Sequence, residues 1–308
     1  MNEGGMKMKV AITGGSGFVG QELTKQLTEQ GHEVYILTRS DHPSTRHGDV
    51  HTVKWLTDDA KPEQYIEGMD VWINLAGVSI NDGRWTEQQK QNIYDSRMKA
   101  TDEILYLLEK VKQKPKVLVN ASAIGIYPPS EQATYTESSQ ERGTDFLART
   151  VKDWEEKASL AERFGIRVAT GRFGIILGKE SGALPLMALP YKMGVGGRVG
   201  SGKQWVSWVH VADVAKAILF VIEHEDFQGP FNVTSPDPKQ MNEFGAILGD
   251  VLHRPHWIPV PSFALKLALG DKSQLVLEGQ HVLPEKLLTH GFKFSFPDLR
   301  SALQTIYA

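Results

Sequence analysis

The chain contains no cysteine. That absence excludes a disulfide framework, thiolate zinc sites, iron–sulfur ligation and a cysteine nucleophile. Long hydrophobic runs are lacking too: the longest, such as Ala217–Ile222, fall far short of the roughly 20 residues that cross a bilayer. Neither sign of charge dominates, because 34 Lys and Arg against 37 Asp and Glu leave a net charge of -3. With both signs interspersed, neither nucleic acid nor a membrane is an expected partner. The leading residues Met1-Asn2-Glu3-Gly4-Gly5 are polar and unlike a secretory signal, so a cytoplasmic protein is expected. No metal site is expected either, since His42, His47 and His51 lie in a polar stretch without matching ligands. What remains is a globular composition, 41% hydrophobic and 23% charged, over 308 residues. That length suits two cores, or one core with a large appendage.

The first half alternates two periods. Lys9–Thr13, Glu33–Thr38, His51–Leu56, Val71–Leu75, Lys116–Ala121 and Ile166–Thr170 read as short apolar strands. Between them Gln21–Gln30, Thr86–Lys112 and Asp145–Phe164 read as helices, the second with Thr86 as its N-cap and Pro115 beyond its end. Parallel strands joined by helical crossovers need both sheet faces covered. After Arg172 glycines and prolines accumulate, followed by helices at Val211–His224 and Asn242–Leu252 around a strand at Pro230–Val233. The expected fold is α/β: a Rossmann-type doubly wound parallel sheet over residues 7–172, with a smaller C-terminal α/β substrate domain mainly from 173–308. Some C-terminal segments are expected to return to the main sheet.

Chemistry is announced first at Gly14-Gly15-Ser16-Gly17-Phe18-Val19-Gly20, where three glycines stand at GxxGxxG spacing between a strand and a helix. Such a turn lets a pyrophosphate approach the unpaired N–H groups of the helix N-terminus, and its third glycine lets helix and sheet pack closely. Gly14, Gly15, Ser16, Gly17, Phe18 and Val19 are therefore candidate cofactor contacts. The second strand ends Leu37-Thr38-Arg39-Ser40. An acid there would suit the ribose of NAD, whereas Arg39 beside Thr38 would attract a 2′-phosphate, so NADP is expected over NAD. Asp41 is the nearby acid that competes with this reading.

These segments resemble the extended short-chain dehydrogenase/reductase, or NAD-dependent epimerase/dehydratase, superfamily. Asn74-Leu75-Ala76-Gly77 resembles its fourth-strand motif, and Trp208-Val209-His210-Val211-Ala212-Asp213-Val214 its substrate-domain helix. A narrower likeness is carried by Gly83-Arg84-Trp85-Thr86, Asp95-Ser96-Arg97, Ser122-Ala123-Ile124-Gly125-Ile126-Tyr127 and Asp153-Trp154-Glu155. The tail from Pro261-Ser262-Phe263-Ala264 to Phe296-Pro297-Asp298-Leu299 completes it, a C-terminal module over about 255–303. Together they resemble a subfamily whose members are labelled epimerase family proteins or NADP-dependent oxidoreductases. The resemblance implies that Leu75, Ala76 and Gly77 lie beside the cofactor, with Ile176 joining them. Arg97 stands where the superfamily carries Asn-x-x-Gly-Thr, and is expected, with Asn92, to reach a cofactor phosphate or ribose, or an acidic substrate.

The catalytic pattern departs from the superfamily. Its members follow a strand-end Ser or Thr with Tyr-x-x-x-Lys, the lysine lowering the tyrosine pKa for proton exchange during hydride transfer. Ser122 fits the first position. The tyrosine position falls on Phe146 with Thr150 for lysine, or one residue on, Leu147 with Val151; neither pair moves a proton. Tyr127 is the candidate substitute, against the alternative of a ring packed under the loop; Tyr135 and His210 are weaker. Arg84-Trp85, Arg198 and Trp205–Trp208 are candidate walls of a substrate cleft. Two functions follow: an oxidoreductase or epimerase-like enzyme acting on a small molecule, or a non-catalytic NADP(H) sensor. A homodimer is compatible with either.

Overall fold

A computed structural model describes residues 7–39 and 46–308. Asp41 and His42 lie outside the described residues, as does the His47 side chain. The main sheet is built from β1 (Lys9–Thr13), β2 (Glu33–Thr38), β3 (Arg46–His47), β4 (Val50–Lys54), β5 (Val71–Asn74), β6 (Val117–Ala123), β8 (Arg167–Phe173) and β12 (Gly229–Val233), with β7 (Thr134–Tyr135) outside it. Its order is β12-β8-β6-β5-β1-β2-β4-β3, parallel except for β3. All four residues of β5 and the first six of β6 are buried, as expected of strands covered on both faces.

Four helices cover the sheet. α1 (Phe18–Glu29) and α5 (Val211–Glu223) pack on one face, α2 (Glu87–Lys110) and α3 (Phe146–Ser159) on the other. Thr86 caps α2 by accepting from the Gln89 N–H. The single helix expected over Asp145–Phe164 is α3 plus a 3-10 turn (Leu160–Phe164), closed by Gly165 at φ 75°. β6 runs two residues further than expected, so Ser122 and Ala123 belong to the strand.

The remaining elements form a second layer: β9 (Ile175–Leu177), α4 (Leu184–Lys192), β10 (Trp205–Val206), β11 (Trp208–His210), β13 (Lys239–Gln240), α6 (Met241–Val251), α7 (Ser262–Leu269), α8 (Gln274–Leu277), β14 (His281–Val282), α9 (Glu285–Thr289) and α10 (Leu299–Tyr307). α4, α6 and α10 share a core with Leu177, Val206 and Trp208. A cut at residue 172 does not separate two cores, however. β12 extends the main sheet, and Val214–Ile222, Phe227 and Leu287 pack with Val10 and Ile12. Among the described residues no helix is long and apolar enough to cross a membrane, and no group of three or more His, Asp or Glu could hold a metal.

Candidate cofactor crevice

From β1 the chain winds to β2 and β4 on one side, then returns to β5, β6, β8 and β12 on the other. The reversal between β1 and β5 opens a crevice at their carboxyl ends, where open α/β sheets bind ligands. Its floor is polar and closed. Thr13 Oγ1 donates to Asn74 Oδ1 (2.7 Å), and Asn74 Nδ2 donates to Asn120 Oδ1 (2.7 Å) and Thr101 Oγ1 (3.2 Å). Trp154 Nε1 donates to the same Thr101 hydroxyl at 3.1 Å. Asn120 and Thr101 were not singled out from sequence, because nothing local marks a ladder that joins three strands and two helices.

The glycine turn sits on this floor. Gly14 has φ 69°, and a Cβ there would stand 2.7 Å from the Leu75 carbonyl oxygen. A Cβ on Gly20 would lie 2.4 Å from the Gly14 oxygen. Gly17 caps α1 with no side-chain hydrogen bond, and no acid occupies the first turn. The N-terminus of α1 therefore keeps unpaired donors and its positive end for an anion. Leu75 and Ala76 follow β5 directly against this turn, and Gly77 comes next in the chain. Ser16 and Gly17 are exposed, Phe18 and Val19 half-buried. Ile176 joins from the second layer: its carbonyl oxygen and the Phe18 ring both lie within 3.1 Å of a Cβ built on Gly182. Thr38 ends β2, and Arg39 follows it, exposed. These residues fit a dinucleotide: a backbone cradle for the diphosphate, and a cation at the end of β2.

Arg97 lies against Gly77, donating through Nη1 to the carbonyls of Val78 (3.1 Å) and Ile93 (2.9 Å). Asn92 does not join it. Five residues is about 140° around a helix; Asn92 is exposed and bonds along α2 with Gln88 and Gln89. The expectation that the two share a contact is corrected.

Ser122 and Tyr127 also require correction. Ser122 pairs in register with Arg172, is buried, and donates to Glu155 Oε1 at 2.5 Å. Arg172 grips both oxygens of Glu155 at 2.8 Å and donates through Nη1 to the Tyr127 hydroxyl at 2.9 Å. That hydroxyl also donates toward Asn232 Oδ1 and the Thr136 carbonyl, both at 3.0 Å. The Ile124–Ile126 turn swings Tyr127 inward, where it is fully buried and stacked on Tyr135 at 5.1 Å. Burial raises the phenol's pKa, with Arg172 opposing. An acid beside the cofactor needs access and a lowered pKa; Tyr127 has neither. Glu155, Arg172 and Asn232 went unrecognised in the sequence because their partners are up to 105 residues away.

No replacement pair stands at the Tyr-x-x-x-Lys positions. Phe146 meets the Trp85 ring edge-on at 5.8 Å, Leu147 flanks Gly125, the Thr150 hydroxyl donates to the Phe146 carbonyl, and Val151 is buried. His210 caps α5 by accepting from the Ala212 N–H at 3.1 Å. Trp85 and Trp208 are core residues bonded to the carbonyls of Ile80 and Asp237, and Trp205 packs on His281 at 4.1 Å. Arg84 donates to the Leu267 carbonyl at 3.2 Å, tying the loop after β5 to α7; Arg198 is exposed.

Comparison with known proteins agrees with this architecture. The chain is 50% identical over 301 residues to the epimerase family protein YfhF of Bacillus subtilis, covering 98% of each. It is 44% identical over 295 residues to the epimerase family protein SSP1921 of Staphylococcus saprophyticus, covering 96% of this chain and 98% of that one. The structure of the human epimerase family protein SDR39U1 (isoform 2) with NADPH superposes with a TM-score of 0.86 at 32% identity, covering 97% of this chain and 99% of that one. The Thermus thermophilus UDP-glucose 4-epimerase with NAD shares the fold, with a TM-score of 0.77 at 18% identity, covering 97% of this chain and 98% of that one. Residues 260–306 match a domain of unknown function, DUF1731. With residues 10–234 matching its family description, the chain belongs to the NAD dependent epimerase/dehydratase family.

Proposed function

We propose that this protein is an NADP(H)-dependent, epimerase-like oxidoreductase acting on a small molecule. The observation that carries the reading is the uncapped N-terminus of α1 behind the Gly14–Gly20 turn, with exposed Arg39 at the end of the adjacent β2. Gly14 to Val19 would hold the diphosphate, Arg39 and Thr38 the 2′-phosphate, and Leu75, Ala76, Gly77 and Ile176 would flank the rest of the cofactor. When bound, NADPH supplies a hydride. Ser122 and Tyr127 stay in the wall as a rigid support, so the accompanying proton exchanges with solvent or substrate rather than with a tyrosine.

Equilibrium titration tests the cofactor choice. NADPH is expected to bind about 10- to 100-fold more tightly than NADH, and Arg39→Ala should remove most of that ratio. Equal affinities, unmoved by the substitution, would sink the 2′-phosphate reading. One observation favours a second reading, that of a redox-silent NADP(H) sensor: neither pair at the Tyr-x-x-x-Lys positions, Phe146 with Thr150 or Leu147 with Val151, supplies a phenol or an ammonium group. A metabolite screen followed by NADPH absorbance separates the two, since any turnover defeats the sensor.

A further inference from the structure

Elsewhere in the superfamily the lysine of Tyr-x-x-x-Lys brings a positive charge to the reacting end of the cofactor. This chain has Thr150 or Val151 in its place, yet a positive charge stands close by on a different helix. The Arg97 guanidinium lies over the Trp154 ring, 5.2 Å from its centroid. Trp154 is four residues, about 6 Å along the axis, beyond Thr150 on α3, on the same helix face. On its other side Arg97 abuts the chain after β5, where a Cβ on Gly77 would be 3.1 Å from its Cζ.

The electrostatics of Arg97 are unlike those of Arg172. Arg172 is neutralised by the two oxygens of Glu155, and hydrogen bonds to that carboxylate support its charge. Arg97 forms no ion pair among the described residues; burial alone acts on it and pushes it down to about 10. Its two hydrogen bonds both use Nη1, whereas a guanidinium carries five N–H donors. A half-buried cation without a carboxylate costs free energy until acceptors arrive. Those acceptors are expected from the ligand.

We propose that Arg97 replaces the missing lysine, binding the nicotinamide-ribose end of the cofactor from α2 and keeping a positive charge at that end of the crevice. This rests on the NADP(H) reading above and assigns Arg97 to the opposite end of the cofactor from Arg39. Calorimetric titration of the full chain with NADPH and with adenosine 2′,5′-bisphosphate, which lacks the nicotinamide ribose, tests it. Arg97→Gln should weaken NADPH by about 10- to 100-fold and leave the bisphosphate unchanged. Arg39→Ala should weaken both. Arg97→Lys should bind NADPH more tightly than Arg97→Gln, because it keeps the charge; if the glutamine variant melts below the assay temperature, the lysine variant's own NADPH and bisphosphate affinities against wild type carry the test. Equal losses for both ligands, no loss for NADPH, or identical lysine and glutamine variants would overturn the proposal. Failure of the unmodified chain to bind NADPH would overturn the cofactor reading itself, and this inference with it.

Discussion

The two sides of the crevice are built on opposite principles. At β1 and α1 the turn is backbone, its helix end is uncapped, and Arg39 stands exposed beyond β2. At the ends of β6 and β8, Ser122, Glu155, Arg172, Tyr127 and Asn232 satisfy one another and are largely sealed from water. Unsatisfied groups are costly unless a ligand completes them; satisfied ones resist any change of partner. The first side is therefore where binding is expected, and the second is where rigidity is expected. Side chains of catalytic type do not by themselves mark a catalytic site.

The sharpest way to break this contrast is Arg172→Met. Leaving Glu155 without its partner should cost about 3–5 kcal/mol of unfolding free energy, read from the denaturant midpoint. A Glu155→Leu/Arg172→Met double variant should recover much of it, since well-packed apolar pairs replace buried ion pairs at little net cost. A single variant as stable as wild type would show that the network is not structural.

Gly14→Ala attacks the other side. Its Cβ would meet the Leu75 carbonyl oxygen at 2.7 Å, in a left-handed conformation. Stability should fall by about 1–3 kcal/mol, and NADPH affinity should fall at least as far. Retention of wild-type affinity would move the diphosphate away from this turn.

Tyr127→Phe sharpens the comparison further. It removes a hydroxyl that serves Arg172 and Asn232, so about 1–3 kcal/mol of stability should be lost while NADPH affinity and any turnover persist. Turnover abolished at unchanged stability would restore the phenol to catalysis.

The smallest effect concerns pH. Burial holds the His210 pKa below its usual 6.5, and the neutral ring accepts the Ala212 N–H. The unfolded chain takes up a proton where the folded chain does not, so this contribution is full above about pH 6.5 and is lost as pH falls toward the folded value. Melting temperature should therefore drop between pH 7.5 and about 5.5, and less so in His210→Asn, which keeps a capping acceptor. Equal slopes would remove His210 from the account.

Much of the fold could be read from local pattern. The strands around β1, β2, β5, β6 and β8 announce themselves as short apolar runs, and Thr86 marks the start of α2 through its own capping chemistry. The same holds for the glycine turn, whose seven residues are adjacent in the chain. Ser122 and Tyr127 were harder, because which way a strand-end side chain turns depends on the strand's length and on what lies above it. β6 continues through Ala123, so the pleat aims Ser122 at α3 rather than at a loop. Asn92 was misplaced for a simpler reason, a face on α2 that five residues do not share.

By itself, then, the sequence determined the βαβ winding, the glycine turn between β1 and α1, the arginine after β2 and the lack of a Tyr-x-x-x-Lys pair. Each depends on residues adjacent in the chain, or on residue types that no fold can supply if they are missing. Only the tertiary structure decided that Ser122 and Tyr127 belong to a buried network and that Arg97 stands beside Gly77 with no carboxylate partner among the described residues. Those outcomes depend on partners brought together from up to 105 residues apart, and on burial, which turns the same polar groups into supports or into sites according to whether their hydrogen bonds are already made.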